Sequence, residues 1–394
     1  MSRIQRICLY VFFFSMNFEV WDPFQTSGFF SISRLTGLAY FLVLIPSIVR
    51  FKTSEAMKPI ITTIWIFFGL LLIMNGIHTD SMAEYFFDFT YFQNIVLFWI
   101  LINHEQSEPG VLEKGMFAFA MGSVTLALLY YNGIGIEYSG GRVSIFGDNQ
   151  NIIGLRMCIS ITILLLVVIK NNLGLGRVRF LLLLPIPVMI GLMVETGSRH
   201  AVLAFFLVFI AALFLYKTER SLWKIVAFFI GIASVILIYQ YIMQNEVIRI
   251  RLFQSIYEGN LSNRDVIWKN MIPLIKDNPI FGVGQSGYAT YCQIIYGVYT
   301  SPHNVILEIL AFTGLTGLMI YFYFLFLIFK RSWHMYRKDG LILPLLLLFI
   351  AFSMIVISHI LEVKIGWGIF AYAAGSSVLN TEAKEEMHQN LLIS

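Results

Sequence analysis

The chain has 394 residues, 58% of them hydrophobic and only 13% charged, with a formal net charge of +4 at pH 7. So little polar surface cannot close a water-soluble globule of this length, and the composition is that of a polytopic membrane protein. The small, dispersed charge shows no basic block, aromatic-rich basic stripe or zinc-ligand spacing, which argues against nucleic acid as a partner.

Arg3 and Arg6 precede a first apolar run that lacks a small-x-small cleavage signal, so it reads as a retained span. Runs long enough to cross a hydrocarbon core of ~30 Å at ~1.5 Å per residue follow one another along the chain. They lie at about 4–19, 29–49, 59–77, 85–103, 112–132, 152–169, 178–195, 199–216, 222–243, 304–329, 341–360 and 364–380. Backbone groups in lipid must pair within their own segment, and no period-2 barrel pattern recurs, so helices are expected. The expected fold is an all-α integral membrane protein: one transmembrane domain, 1–394, forming a polytopic bundle of 11–12 helices. The first and last runs are the shortest.

Lysine and arginine orient the bundle. One set of loops holds 17 of the 27 Lys and Arg residues and the opposite set 8, with Arg34 and Arg156 inside spans. This bias puts both termini in the cytoplasm. The long connection at 244–302, between spans nine and ten, then faces outward, where such loops tend to carry function. Within it, "SNRDVIWKNMI" has Ser262 and Asp265 at capping-box spacing, then Ile267, Trp268, Met271 and Ile275 at helical spacing. A short amphipathic helix is expected there, kinked or ended by Pro273 and lying on the membrane surface or packed on neighbouring spans.

The three cysteines, Cys8, Cys158 and Cys292, are too scattered for a disulfide framework or metal site and read as small buried residues. Among charged residues, the outward cations stand out. Arg142 lies in "GGRVSIFGDNQN", Arg199 opens span eight in "TGSRHAVLAFF", Arg264 opens the surface helix, and His303 opens span ten in "SPHNVILEIL". Singly, an arginine at a span end usually snorkels to headgroups. Together they run against the positive-inside bias and point to a shared anionic ligand. A diphosphate suits it, because guanidinium offers a planar donor fork and keeps its charge when desolvated. Nucleotide sugars and ATP are cytoplasmic, so an outward transferase needs a lipid-linked donor. The sequence has no D-x-D pair, no G-x-x-x-x-G-K-[ST] loop and no H-E-x-x-H.

Three segments, "TGSRHA" (196–201), "NRDVIWKNMIPLIKDNPIFGVG" (263–284) and "PHNVILEILAFTGLTG" (302–317), carry a family resemblance, and "GRVSIFGDNQNIIG" (141–154) adds to it more weakly. Their order and the long loop between the second and third are similar to the bacterial O-antigen ligase and O-antigen polymerase (Wzy-type) superfamily. The resemblance implies a GT-C-like, metal-independent glycosyltransferase of the bacterial inner membrane that needs no cofactor. Such enzymes take a glycan from undecaprenyl diphosphate and pass it to a sugar hydroxyl. In polymerases of O-antigen or capsule the acceptor is another lipid-linked repeat unit; in ligases it is the lipid A core of lipopolysaccharide. A chain-length regulator and a repeat-unit flippase are the implied partners. The resemblance assigns donor-diphosphate binding and transfer to Arg199, Arg264 and His303.

Around them, Arg142, Asn151, Glu195, His200, Trp268, Asn304 and Glu308 are the candidate substrate-binding residues. His303 has the ordinary pKa best suited to taking the acceptor proton, with hydrogen bonding to the diphosphate as its competing role. Glu195 and Glu308 are the other candidate bases. Glu308 lies four residues after Asn304, so the two share one helix face. Asp88 and Arg156, ionisable and within spans, are read as paired or functional. Two positions depart from the family pattern: His200 stands where a small residue is usual, and Phe312 where Glu is usual. Gly314 and Gly317 read as close-packing positions, and "FGVGQSG" as a turn near the site. The aromatic content reads mainly as interfacial belts, with Tyr288, Tyr291 and Tyr296 available to stack on sugars. A transporter or flippase of a lipid-linked or anionic solute is the alternative of another class, although the halves show no convincing internal repeat.

Overall fold

The computed structural model describes residues 2–26, 30–79, 89–216, 239–257, 264–357 and 360–376. Helix α1 (Arg3–Ser15) starts from a reciprocal cap in which the Ser2 hydroxyl accepts from the Gln5 N–H and the Gln5 side chain accepts from the Ser2 N–H. It continues into a 3-10 turn at Met16–Phe18. Helices α2 (Ile32–Ile48), α3 (Lys58–Ile77), α4 (Phe89–Ser107) and α5 (Val111–Tyr131) follow. A hairpin of β1 (Ile136–Ser139) and β2 (Arg142–Ile145) then precedes α6 (Gln150–Lys170). A 3-10 stretch at Gly176–Leu183 leads into α7 (Ile186–Glu195), then α8 (Arg199–Leu215) and α9 (Glu246–Tyr257). The remaining helices among the described residues are α10 (Arg264–Asp277), α11 (Gly284–Tyr296), α12 (Val305–Asp339), α13 (Leu343–Ile357) and α14 (Lys364–Gly375).

The class is all-α and membrane-like, as expected. Among the described residues five helical stretches are long and apolar enough to cross a membrane: Lys58–Ile77, Val111–Tyr131, Gln150–Lys170, Gly176–Glu195 and Val305–Asp339. Ile32–Ile48, Arg199–Leu215 and Leu343–Val356 are apolar but shorter. The expected spans differ from these in places. The run at 4–19 is α1 plus the 3-10 turn, and the run at 178–195 divides into the Gly176–Leu183 stretch and α7. Most of 222–243 lies outside the described residues, as do Asp88 and Ser262.

Helix α6 is the axis of the bundle. It is apolar around its whole circumference and buried almost throughout from Ile152 to Val168, packed by α5, α7, α8 and α13; a helix of that pattern has no face for solvent. Its one buried cation, Arg156, donates to the Asp148 carboxylate, to Glu19 and to the Asn17 carbonyl, and Glu19 in turn accepts from Lys364. Two cations and two carboxylates are thereby closed into one network, the arrangement that makes buried charge tolerable. It joins the end of α1, the entry to α6 and the first turn of α14. Arg156 is therefore paired, one of its two expected readings.

The connection at 244–302 contains α9, α10 and α11. Pro273 is carried inside α10, which runs on to Asp277. Helix α11 starts against the C-terminal turn of α3, where the Asn75 side chain accepts from the Gln285 N–H at 2.5 Å. Helix α12 is broken at Gly314, whose φ of 62° and ψ of −161° are open only to glycine. The turn 279–283 fills the break: Leu315 N–H donates to Pro279 at 2.9 Å, Thr316 N–H to Ile280 at 3.1 Å, and Val283 N–H to Ala311 at 2.8 Å. Backbone groups freed inside a bundle are satisfied in this way by a neighbouring segment. Gly314 accordingly admits the backbone of "NPIFGVG", where the sequence pointed to approach between helices.

Candidate active site

The turn between α7 and α8 is written in "ETGSRH". Thr196 ends α7, Gly197 takes a left-handed φ of 59°, and the Ser198 hydroxyl caps α8 by accepting from Ala201 N–H at 3.3 Å. Arg199 is thus the first residue of α8, at the positive end of its dipole. Gly154 of α6 lets this turn approach, because a Cβ there would stand 2.8 Å from the Ala201 Cβ.

The hairpin delivers Arg142. Gly140 and Gly141 both have positive φ, 57° and 72°, as a two-residue I′ turn requires. Arg142 follows directly, opposite Ser139. Its Nε donates to the Thr196 carbonyl at 2.8 Å and its Nη2 to the Asn151 side chain at 2.8 Å. Asn151 is held in turn by the Asn149 cap of α6. Arg142 therefore spans from the start of α6 to the open carbonyl end of α7.

Helix α9 adds a further guanidinium, that of Arg251, which no sequence motif marked for the site. Arg199 Nη1 donates to the Arg251 carbonyl at 2.9 Å. The side chains of Arg142, Arg199, Arg251 and Arg264 sit within electrostatic reach of one another. Burial holds Arg142 down to about 10, helped by the charges of Arg251, Arg199 and Arg264. Burial and the Arg199 charge lower Arg264, and burial with Arg199 and Arg264 lowers Arg251. At neutral pH all four stay cationic, and each is only partly buried. Four like charges were not drawn together by attraction for one another.

His303 is brought to the same place by α10. Arg264 and Trp268 are one turn apart, and the Trp268 indole donates to the Pro302 carbonyl at 2.8 Å, fixing the turn that carries His303. His303 itself has a φ of 51°, an uncommon conformation for a side chain of this size. Burial and then the Arg264 charge lower its pKa, so the imidazole is neutral at pH 7. Arg199, Arg264, His303 and Arg142, expected as partners, are thus assembled at one end of the bundle.

The other candidates have evident local partners. Asn304 caps α12, its side chain accepting from the N–H groups of Ile306 and Leu307 at 3.0 and 3.1 Å. Glu308 is buried one turn further on and accepts from the Tyr91 hydroxyl at 2.5 Å. Glu195, at the end of α7, accepts from the Asn245 amide at 3.2 Å. His200 is buried, with Nε2 3.0 Å from the Ser353 hydroxyl, so it faces α13 while Arg199 beside it faces the cluster. Phe312 packs against Tyr288. Tyr288 is fully buried and donates to the Thr300 carbonyl, and Tyr291 and Tyr296 bond to Asn270 of α10. These tyrosines brace the loop through their hydroxyls, and the buried Tyr288 ring has no open face for a sugar.

Residues 184–322, about a third of the chain, match the family model described as O-antigen ligase. Over that stretch the chain is similar to the O-antigen ligase family, which supports the O-antigen ligase and polymerase superfamily for it. The match spans α7 to the middle of α12 and takes in Arg199, Arg251, Arg264 and His303, leaving Arg142 outside it. It supports a membrane enzyme of the ligase or polymerase type acting with lipid-linked oligosaccharide. No curated protein matches the chain.

Proposed function

We propose that this protein is a surface-polysaccharide polymerase, of O-antigen or capsule, at the outer face of the bacterial cytoplasmic membrane. It transfers a glycan from undecaprenyl diphosphate to a hydroxyl of another lipid-linked repeat unit. The observation that carries this reading is the gathering of Arg142, Arg199, Arg251 and Arg264 beside a neutral His303. In the reaction the acceptor oxygen bonds to the donor sugar C1, the C1–O bond to the diphosphate breaks, and the electron pair leaves with the diphosphate. The guanidiniums neutralise that growing charge from fixed positions. His303 takes the acceptor proton, which its neutral imidazole can accept. His200 and Ser353, just behind Arg199, hold the α8 N-terminus in place, and Asn304 and Glu308 set the helix that presents His303.

Arg199→Ala, Arg264→Ala and His303→Ala should each collapse the ladder of polymer lengths on a glycan gel to a single repeat. Normal ladders from all three, with protein present in membranes, would end this reading. The description of the matched family favours a second one, transfer of finished polymer to the lipid A core. In a deletion strain, single-repeat chains mark a lost polymerase, whereas lipid-linked long polymer marks a lost ligase.

A further inference from the structure

Far along α12 from His303, Lys330, His334 and Arg337 are all exposed and spaced four and three residues apart, which sets them in one stripe. They rim a cavity of about 460 Å³ between α12 and the start of α3. Its apolar lining is formed by the buried Ile60, the half-buried Leu327 and the exposed Trp333. Arg331 also lines it, braced by donating to the Ala374 carbonyl. Among the described residues that line the cavity there is no carboxylate. Helix α3 opens in its wall, with Pro59 in the first turn and no side-chain cap on its leading N–H groups, so the positive end of a helix adds to the same potential. From there α3 runs about 25 Å to Asn75 at ~1.5 Å per residue. The cavity is thus at the opposite end of α3 from α11 and the His303 turn.

We propose that this cavity binds an anionic membrane phospholipid, its phosphate on Lys330, His334 and Arg337 and its first acyl carbons on Ile60, Leu327 and Trp333. Cations beside an apolar lining match an amphiphile, and basic pockets between helices hold lipid headgroups by this combination. Free phosphate would satisfy the cations and leave the apolar lining uncovered. The site is independent of the transfer chemistry at the other end of the bundle.

Trp333 is a built-in reporter. The full-length protein, purified in a neutral detergent, is titrated with phosphatidylglycerol or phosphatidylcholine carrying brominated chains, and tryptophan quenching is followed. Phosphatidylglycerol should quench at a concentration on the order of tenfold lower. That component should vanish in Trp333→Phe, and the preference should vanish in a triple variant with Lys330→Gln, His334→Gln and Arg337→Gln. If the triple variant aggregates, Arg337→Gln alone should weaken the preference several-fold. Equal quenching by the two lipids, or a preference that survives in the variants, would overturn the proposal. So would loss of the preference on adding millimolar inorganic phosphate, which would mark a free-anion site.

Discussion

At the scale of single residues the site depends on two unusual backbones, Gly197 and His303. A Cβ on Gly197 would stand 3.2 Å from Arg142 Cγ, and its φ of 59° disfavours any side chain. Gly197→Ala should therefore cost about 1–2 kcal/mol, read as a lower midpoint of thermal unfolding in detergent, and should shorten the polymer ladder by displacing Arg142. For His303 the sign is fixed by its surroundings. Burial and Arg264 both lower its pKa from 6.5, so a base-catalysed rate is fully present at neutral pH and falls on the acid side, below 6.5. Arg264→Gln removes one of the lowering influences, so the acid limb of the residual kcat/KM profile should move to higher pH, whereas Arg264→Lys should leave it in place. A rate that rises on acidification would instead make His303 a cationic ligand of the diphosphate. Arg199, Arg264 and His303 were legible because each sits in a short motif at a helix start. Arg251 was not: in "EVIRIRLF" it is one of two nearby arginines, and the contact that places it is made by its carbonyl, which no side-chain pattern records.

At the scale of elements, α10 holds the His303 turn and the break in α12 holds the turn 279–283. Trp268→Phe keeps the ring and removes the indole donor to Pro302. Losing that bond should cost about 1 kcal/mol and lower kcat more than it raises KM for donor. Gly314→Ala should be far more damaging, since its Cβ would run into the Ile280 carbonyl. Little folded protein should survive detergent extraction and size-exclusion chromatography. The amphipathic helix of 264–277 was readable from its apolar spacing, and the hairpin could have been found from "YSGGRV", a glycine pair between short alternating strands. The break in α12 could not, because "TGLTG" reads the same for a continuous helix packed closely and for one opened to admit a turn. Which of the two occurs is decided by "NPIFGVG", more than 30 residues earlier in the chain.

At the scale of the whole molecule, two groups of charge follow opposite logic. In one, Arg156 and Lys364 are met by Asp148 and Glu19; in the other, four guanidiniums crowd together. Charges in the first hold the bundle, so Arg156→Ala should destabilise by about 3–5 kcal/mol, visible as early thermal unfolding with or without lipid donor. On the proposed function, charges in the second serve a ligand. Undecaprenyl diphosphate should raise the melting temperature of the wild type, and Arg251→Ala should lower its affinity by roughly ten- to a hundredfold. Composition made the all-α membrane class legible, but not how the bundle closes. The partners Glu19 and Lys364 are more than 300 residues apart, and neither stands out locally. Their meeting has a consequence for the order of synthesis. A nascent chain complete to Val363 can already pair Arg156 with Asp148 and Glu19 but still lacks Lys364, the second cation on Glu19. The first helix can therefore be joined to α6 before α14 exists, and α14 is then seated on that pair through Lys364, so a chain cut short before α14 should keep the contact between Glu19 and Arg156 while leaving Glu19 with one cation in place of two.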